Sequence, residues 1–142
     1  MARSALFTIG YEGRALDELI AILASNKIDR VIDVRDLPLS RRRGFSKTPL
    51  GTALVGAGIE YIHMREAGNP YRKLKDSIPR DELLAKYQAH LRGAGGTVKN
   101  VAEQARGRRV ALLCYEAEPA QCHRSLLAPR VAKLLDVAVR DL

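Results

Sequence analysis

The sequence predicts one α/β domain over residues 1–142, a three-layer fold with a mostly parallel, Rossmann-like sheet of about five strands in the order 3-2-1-4-5. Three observations carry this reading. Short apolar, β-branched runs alternate with segments whose apolar residues recur at helical spacing, as in consecutive βαβ units. The stretch Arg109-Val110-Ala111-Leu112-Leu113-Cys114 is apolar throughout after its first residue, the pattern of a central parallel strand covered on both faces. A chain of 142 residues also suits a single domain, which can bury roughly 70% of its unfolded surface and needs no disulfide.

Leu6-Phe7-Thr8-Ile9, closed by Gly10, is the first strand, and Leu16, Leu19, Ile20 and Leu23 mark the helix after it. Val31-Ile32-Asp33-Val34 is the second strand, reached by a right-handed crossover. Residues 36–48 are irregular and basic, with Pro38 and the run Arg41-Arg42-Arg43. A short helix over 49–57 follows, with Pro49 in its first turn and Gly58 at its exit. Ile59-Glu60-Tyr61-Ile62-His63 is the third strand. The polar residues 66–79, with Gly68 and Pro70, predict a mobile loop. Leu83, Leu84, Tyr87 and Leu91 give an apolar face to a helix over 81–91, which the glycines of 93–96 end. A shorter helix covers 98–105 and the fourth strand 109–114. A last helix runs to about Leu135, and Val137-Ala138-Val139 closes the sheet. Pro129 inside that helix is tolerated if Ser125 caps it, because Pro129 then falls near the end of the first turn. No repeat, linker or low-complexity tract interrupts the domain.

Twenty-four Lys and Arg against 16 Asp and Glu leave a net charge of +8, which favours anionic partners: phosphate, nucleotides or nucleic acid. The first apolar run is far shorter than the ~18 residues that span a bilayer and has no cleavage-like site, so the expectation is a cytoplasmic protein without a membrane partner. Two cysteines do not make a secreted disulfide framework and fit a reduced compartment. Two Phe, five Tyr and no Trp give little sign of a base-stacking platform.

The densest chemistry lies between Cys114 and Ser125, where a strand delivers a thiol and, two residues on, a carboxylate, and a helix start follows with Cys122, His123 and Arg124. Strand ends that feed helix starts attract anions to the helix amides, and open α/β sheets bind ligands beyond the strand C-termini where the strand order reverses. In the order 3-2-1-4-5 the loop holding Tyr11 and Glu12 faces the loop between Cys114 and Cys122, with Asp33 and Arg35 from the adjacent strand. These clusters are expected to converge on one crevice.

The motifs Asp33-Val34-Arg35, Ser40-Arg41-Arg42, Gly58-Ile59-Glu60-Tyr61 and Cys114…Glu116…Pro119…Cys122-His123-Arg124-Ser125-Leu126 resemble a bacterial and archaeal family known as domain of unknown function 488. The resemblance runs from about Phe7 to the C-terminus and implies a compact α/β domain, with no established reaction. Many members carry Gly-His-Ser where this chain has Gly10-Tyr11-Glu12, so no histidine role carries over to that place.

Each residue admits a plainer role beside the functional one. Cys114 is a buried apolar residue or a thiolate whose pKa the helix start and Arg124 lower, as in phosphatases and sulfurtransferases, although the 114–124 loop is longer and poorer in glycine than their phosphate cradles. Glu116 is a general acid or base, or a solvated carboxylate. His123 is a proton shuttle, a cap or a core histidine. Arg124 binds an oxyanion in bidentate fashion, or pairs with Asp33 or Glu116 and holds the loop. Asp33 and Arg35 form an ion pair that also turns Arg35 toward a ligand, and Ser40, Arg41 and Arg42 contact phosphate or form a solvated loop. Cys114, Cys122 and His123 could ligate zinc, with a fourth ligand such as His63, but C-x7-C-H is no standard zinc spacing and neither metal nor cofactor is assigned. The leading expectation is an enzyme on a phosphate-bearing substrate, with Arg35, Arg41, Arg42 and Arg124 on the anion, Glu116 handling the proton, and Cys114 or Cys122 as nucleophile or structural. A non-catalytic nucleic-acid-binding module using the same arginines is the alternative, and a scaffold without a small ligand a third.

Overall fold

The alternation of strand and helix builds a five-stranded, all-parallel sheet in the computed structural model, which describes residues 3–142. In chain order the elements are β1 (Ala5–Gly10), α1 (Leu16–Ser25), β2 (Arg30–Asp33), α2 (Lys47–Gly56), β3 (Glu60–His63), α3 (Arg80–Arg92), α4 (Gly95–Ala105), β4 (Arg109–Cys114), α5 (Arg124–Leu135) and β5 (Val139–Asp141). No helix among the described residues is long and apolar enough to cross a membrane.

The strand order is β3-β2-β4-β1-β5, not the expected 3-2-1-4-5: β4 sits between β2 and β1. It pairs with β1 from Arg109 to Cys114 and with β2 from Val110 to Leu113. The most continuously apolar strand thus takes the centre, where all but its first residue are buried. Side chains alternate across it. Val110, Leu112 and Cys114 join α3, α4 and α5 in one core, with Tyr87, Val101 and Leu127 among their partners. Ala111 and Leu113 join α1 and α2 in the other, with Leu19, Leu23, Leu50 and Leu54. From β1 the chain crosses toward the β3 edge, whereas from β4 it crosses toward β5, so the topological switch lies between the tips of these two strands.

Three local expectations are corrected. The segment 66–79 is not one open loop: 3-10 turns form at Arg65–Ala67 and Arg72–Leu74, and buried Asn69 accepts the Tyr71 N–H through Oδ1 at 2.9 Å. Helix α5 starts at Arg124, and Ser125 does not cap it; its Oγ donates to the Cys122 carbonyl at 2.8 Å. Pro129 therefore lies in the second turn, where it has no N–H for the Ser125 carbonyl. Strand β5 begins at Val139, because its register on β1 runs from Leu6–Val139 to Thr8–Asp141.

Candidate functional site

The tips of β1, β4 and β2 meet at the switch point and are stitched together by backbone bonds. The Tyr11 and Glu12 amides donate to the Cys114 and Tyr115 carbonyls, and the Val34 amide donates to that of Leu113. Above them lies a cavity of about 390 Å³. Its floor is Cys114, Glu116 and His123, and Tyr11, Tyr115, Leu83 and Leu84 give it apolar wall. The 36–46 loop closes one side with Leu37, Leu39, Ser40, Arg41 and Arg42. The 69–80 segment closes the other with Asn69, Arg72, Lys75 and Arg80.

The cavity is electropositive. Six cations line it (Arg35, Arg41, Arg42, Arg72, Lys75 and Arg80) against two carboxylates, Asp36 and Glu116. Asp36 is held by Arg72 at 3.0 Å and Arg65 at 3.7 Å, and Glu116 by Arg80 at 3.3 Å. Arg35 is buried, and Asp33 takes its Nε at 2.8 Å and its Nη2 at 2.6 Å, while Nη1 donates to the Phe45 carbonyl at 2.6 Å. That pairing holds its charge firmly in place: burial works against the guanidinium, but Asp33 raises its pKa above the ordinary value. Arg42 donates to the carbonyls of Tyr11 and Arg14 and lies over the Phe45 ring, fastening the basic loop to the β1 tip. Tyr11 stacks on Phe45 with centroids 4.6 Å apart, and Ser40 Oγ accepts the Arg42 amide at 3.1 Å.

At the floor, His123 Nδ1 lies 3.7 Å from the sulfur of Cys114 and 3.7 Å from that of Cys122. Its Nε2 lies 2.8 Å from the Val34 carbonyl. A carbonyl only accepts, so Nε2 carries the proton, and Nδ1 of the neutral ring turns its lone pair toward both thiols. This contact requires the observed strand order, since β4 must lie beside β2 for the residue opening α5 to reach Val34. The Cys114 thiol donates toward Glu116 Oε2 at 3.5 Å. Four groups here shift one another's acidity. Burial raises the Cys122 thiol, but hydrogen bonds with Cys114 and His123 and the charges of His123 and Arg124 bring it well below its ordinary value. The hydrogen bond with Cys122 and burial push Cys114 up. Burial would lower His123, yet Cys122 raises it, and burial followed by the Cys122 charge raises Glu116. Cys122 is thus the more acidic of the two thiols, because His123 and Arg124 favour its charged form.

Of the predicted site residues, Cys114, Glu116, His123, Tyr11, Arg35, Ser40, Arg41 and Arg42 line one cavity. Four predicted residues stand behind it. Arg124 is fully buried, and its Nη1 and Nη2 donate to the Glu116 and Ala117 carbonyls at 2.6 and 3.3 Å. It fixes the loop as the plainer reading expects, but through backbone oxygens, and its burial leaves it no exposed face for an anion, although its Nε has no partner. Asp33, also fully buried, is taken up by Arg35 and by Tyr61, whose hydroxyl donates to it at 2.5 Å. Glu12 is exposed and accepts the Ala117 amide at 3.0 Å. Cys122 reaches the cavity only through His123. His63 is turned away, with Nε2 2.7 Å from the Arg35 carbonyl. Sequence reasoning missed Arg72, Lys75 and Arg80. Their signal was the basic run from Arg72 to Lys75, which in one dimension looks like any solvated loop.

Residues 15–131 match the family model described as Domain of unknown function DUF488. No curated protein and no solved structure matches the chain.

Proposed function

The chain belongs to the family of domain of unknown function 488, and for this member we propose an enzyme that acts on a phosphate-bearing substrate of the nucleotide or nucleic-acid class, in the cytoplasm. One observation carries this reading: six cations surround a single cavity of about 390 Å³ whose floor presents a thiol, an imidazole and a carboxyl. That volume lies within the roughly 300–1,000 Å³ of small-molecule sites. Arg41, Lys75 and Arg80 are exposed at the rim and supply charge to phosphate oxygens, with half-buried Arg72 beside them. The apolar wall and the Tyr11 and Tyr115 rings, 5.3 Å apart edge to face, suit a base or sugar. Glu116 handles the proton, because its Oε1 is held by Arg80 while Oε2 stays beside Cys114 at the floor.

The test combines turnover with binding. Phosphate release is followed with nucleoside 5′-mono-, di- and triphosphates and with p-nitrophenyl phosphate, and affinity for ADP and for a short single-stranded oligonucleotide is measured at low and high salt. The expected result is turnover that Glu116→Gln lowers at least 100-fold with ADP affinity within twofold of wild type. A non-catalytic nucleic-acid module gives the opposite: oligonucleotide binding that falls steeply with salt, indifference to Glu116→Gln and Cys114→Ser, and no turnover. That outcome would overturn the enzyme reading.

A further inference from the structure

We infer that Cys114, Cys122 and His123 form a zinc-binding centre at the cavity floor, with a fourth coordination position turned toward Glu116. The three donor atoms are buried and lie within 4.8 Å of one another. Zinc bonds of about 2.3 Å to sulfur and 2.0–2.1 Å to nitrogen give a tetrahedron whose edges are about 3.5–3.8 Å. Both sulfur–nitrogen separations, at 3.7 Å, already have that length. The Cys114–Glu116 separation of 3.5 Å has it too, so Glu116 stands one edge away from the sulfur on the cavity side.

Equal spacing of Nδ1 from two sulfurs is the geometry of donors around a shared atom, whereas a disulfide would draw the sulfurs together and leave the ring outside. The ring is also braced as metal-binding histidines are: Nε2–H is spent on the Val34 carbonyl at 2.8 Å, which aims the Nδ1 lone pair inward. Two thiolates and an imidazole select zinc over magnesium, calcium or manganese. The unusual C-x7-C-H spacing is no obstacle, because the ligands come from a strand tip and a helix start that the sheet brings together, not from one knuckle. Three protein ligands with an open fourth position is the arrangement of catalytic zinc, which binds water or substrate oxygen there. The ion's binding stands on the three donors alone. Its part in turnover rests on the phosphate-substrate reading above.

The untagged protein, purified under reducing conditions, is assayed for metal content, then stripped with chelator and refilled with Zn(II) or Co(II). The expected result is about one zinc per chain, and with Co(II) the intense sulfur-to-metal charge-transfer absorption of a tetrahedral thiolate site. Cys122→Ser lowers zinc affinity at least 100-fold, and His63→Gln leaves it unchanged. The wild-type Co(II) spectrum needs no variant and so survives any folding defect in Cys122→Ser. Refilled wild type that holds no stoichiometric zinc, with both thiols reacting freely in the native state, overturns the centre. ADP titration separates the two proposals: refilled protein that holds no zinc yet binds ADP overturns only the metal, and zinc-loaded protein indifferent to ADP overturns only the substrate class.

Discussion

Loss of Asp33 would strand two neighbours, Arg35 and Tyr61. Fully buried at the β2 tip, Asp33 accepts three donors from Arg35, the backbone N–H among them, and one from Tyr61. Asp33→Asn leaves the buried Arg35 charge without a counter-ion and should cost about 3–5 kcal/mol, read as a lower urea midpoint. Tyr61 gives the alkaline counterpart. Burial and the Asp33 charge raise its phenol above the ordinary range. The folded protein therefore keeps this proton to higher pH than the unfolded chain. The contribution is complete below the unfolded phenol's pKa of about 10 and is lost as pH climbs from there toward the folded value. Tyr61→Phe should flatten the fall in stability above pH 10, while costing about 1 kcal/mol at neutral pH through the lost bond to Asp33. Urea melts of both proteins at pH 8 and pH 11 check the slope.

At the scale of elements, the connection from β4 to α5 does the positioning, and it is clamped from two sides. A Cβ on Gly10 would sit 1.8 Å from the Glu116 carbonyl oxygen, so only glycine lets this loop lie against the β1 tip. From the other side the Arg124 guanidinium holds the same oxygen at 2.6 Å. Gly10→Ala must push the loop outward, costing about 1–3 kcal/mol and displacing Glu116. The expected signature is a drop in turnover larger than in Arg41→Ala, with ADP affinity less affected, as kcat and KM would show. Helix α5 offers the reverse experiment. Pro129 is exposed in its second turn and forfeits the bond to the Ser125 carbonyl, so Pro129→Ala should stabilise the protein by about 1–2 kcal/mol, the roughly 3 kcal/mol helix penalty being offset in part by the stiffer unfolded chain. An unchanged or lowered melting temperature would show that the proline ring packs to better effect than an N–H would bond.

Over the whole molecule the net charge of +8 is unevenly spent. Arg30 pairs with Glu60 and donates to Gln104 at the opposite end of β2, whereas Arg41 and Lys75 face the cavity mouth from two separate segments. Anion binding should therefore weaken with salt, and Arg41→Ala and Lys75→Ala should each flatten that dependence, while Lys99→Ala on α4 should not. Equal salt slopes in all three variants would mean the field of the whole protein, not this cavity, attracts the anion.

How far the sequence reaches follows from the range of the interactions involved. Burial pattern and turn chemistry are local, so the βαβ alternation, β4 as a central strand and the motif from Cys114 to Arg124 were legible from spacing alone. Strand order was not: β1 and β4 are both continuous buried runs, and periodicity reports which faces are covered without saying by which neighbour. For the same reason Arg124 and Arg35 look alike in one dimension. Only tertiary structure decides that the first spends its donors on loop carbonyls while the second stands at the cavity wall. The chain by itself determined which chemical groups are available and on which strand tips they sit. Packing decided which of them remain free to meet a ligand, because a buried charge turns most of its donors to whatever oxygens lie nearest, and that is a property of three-dimensional neighbours.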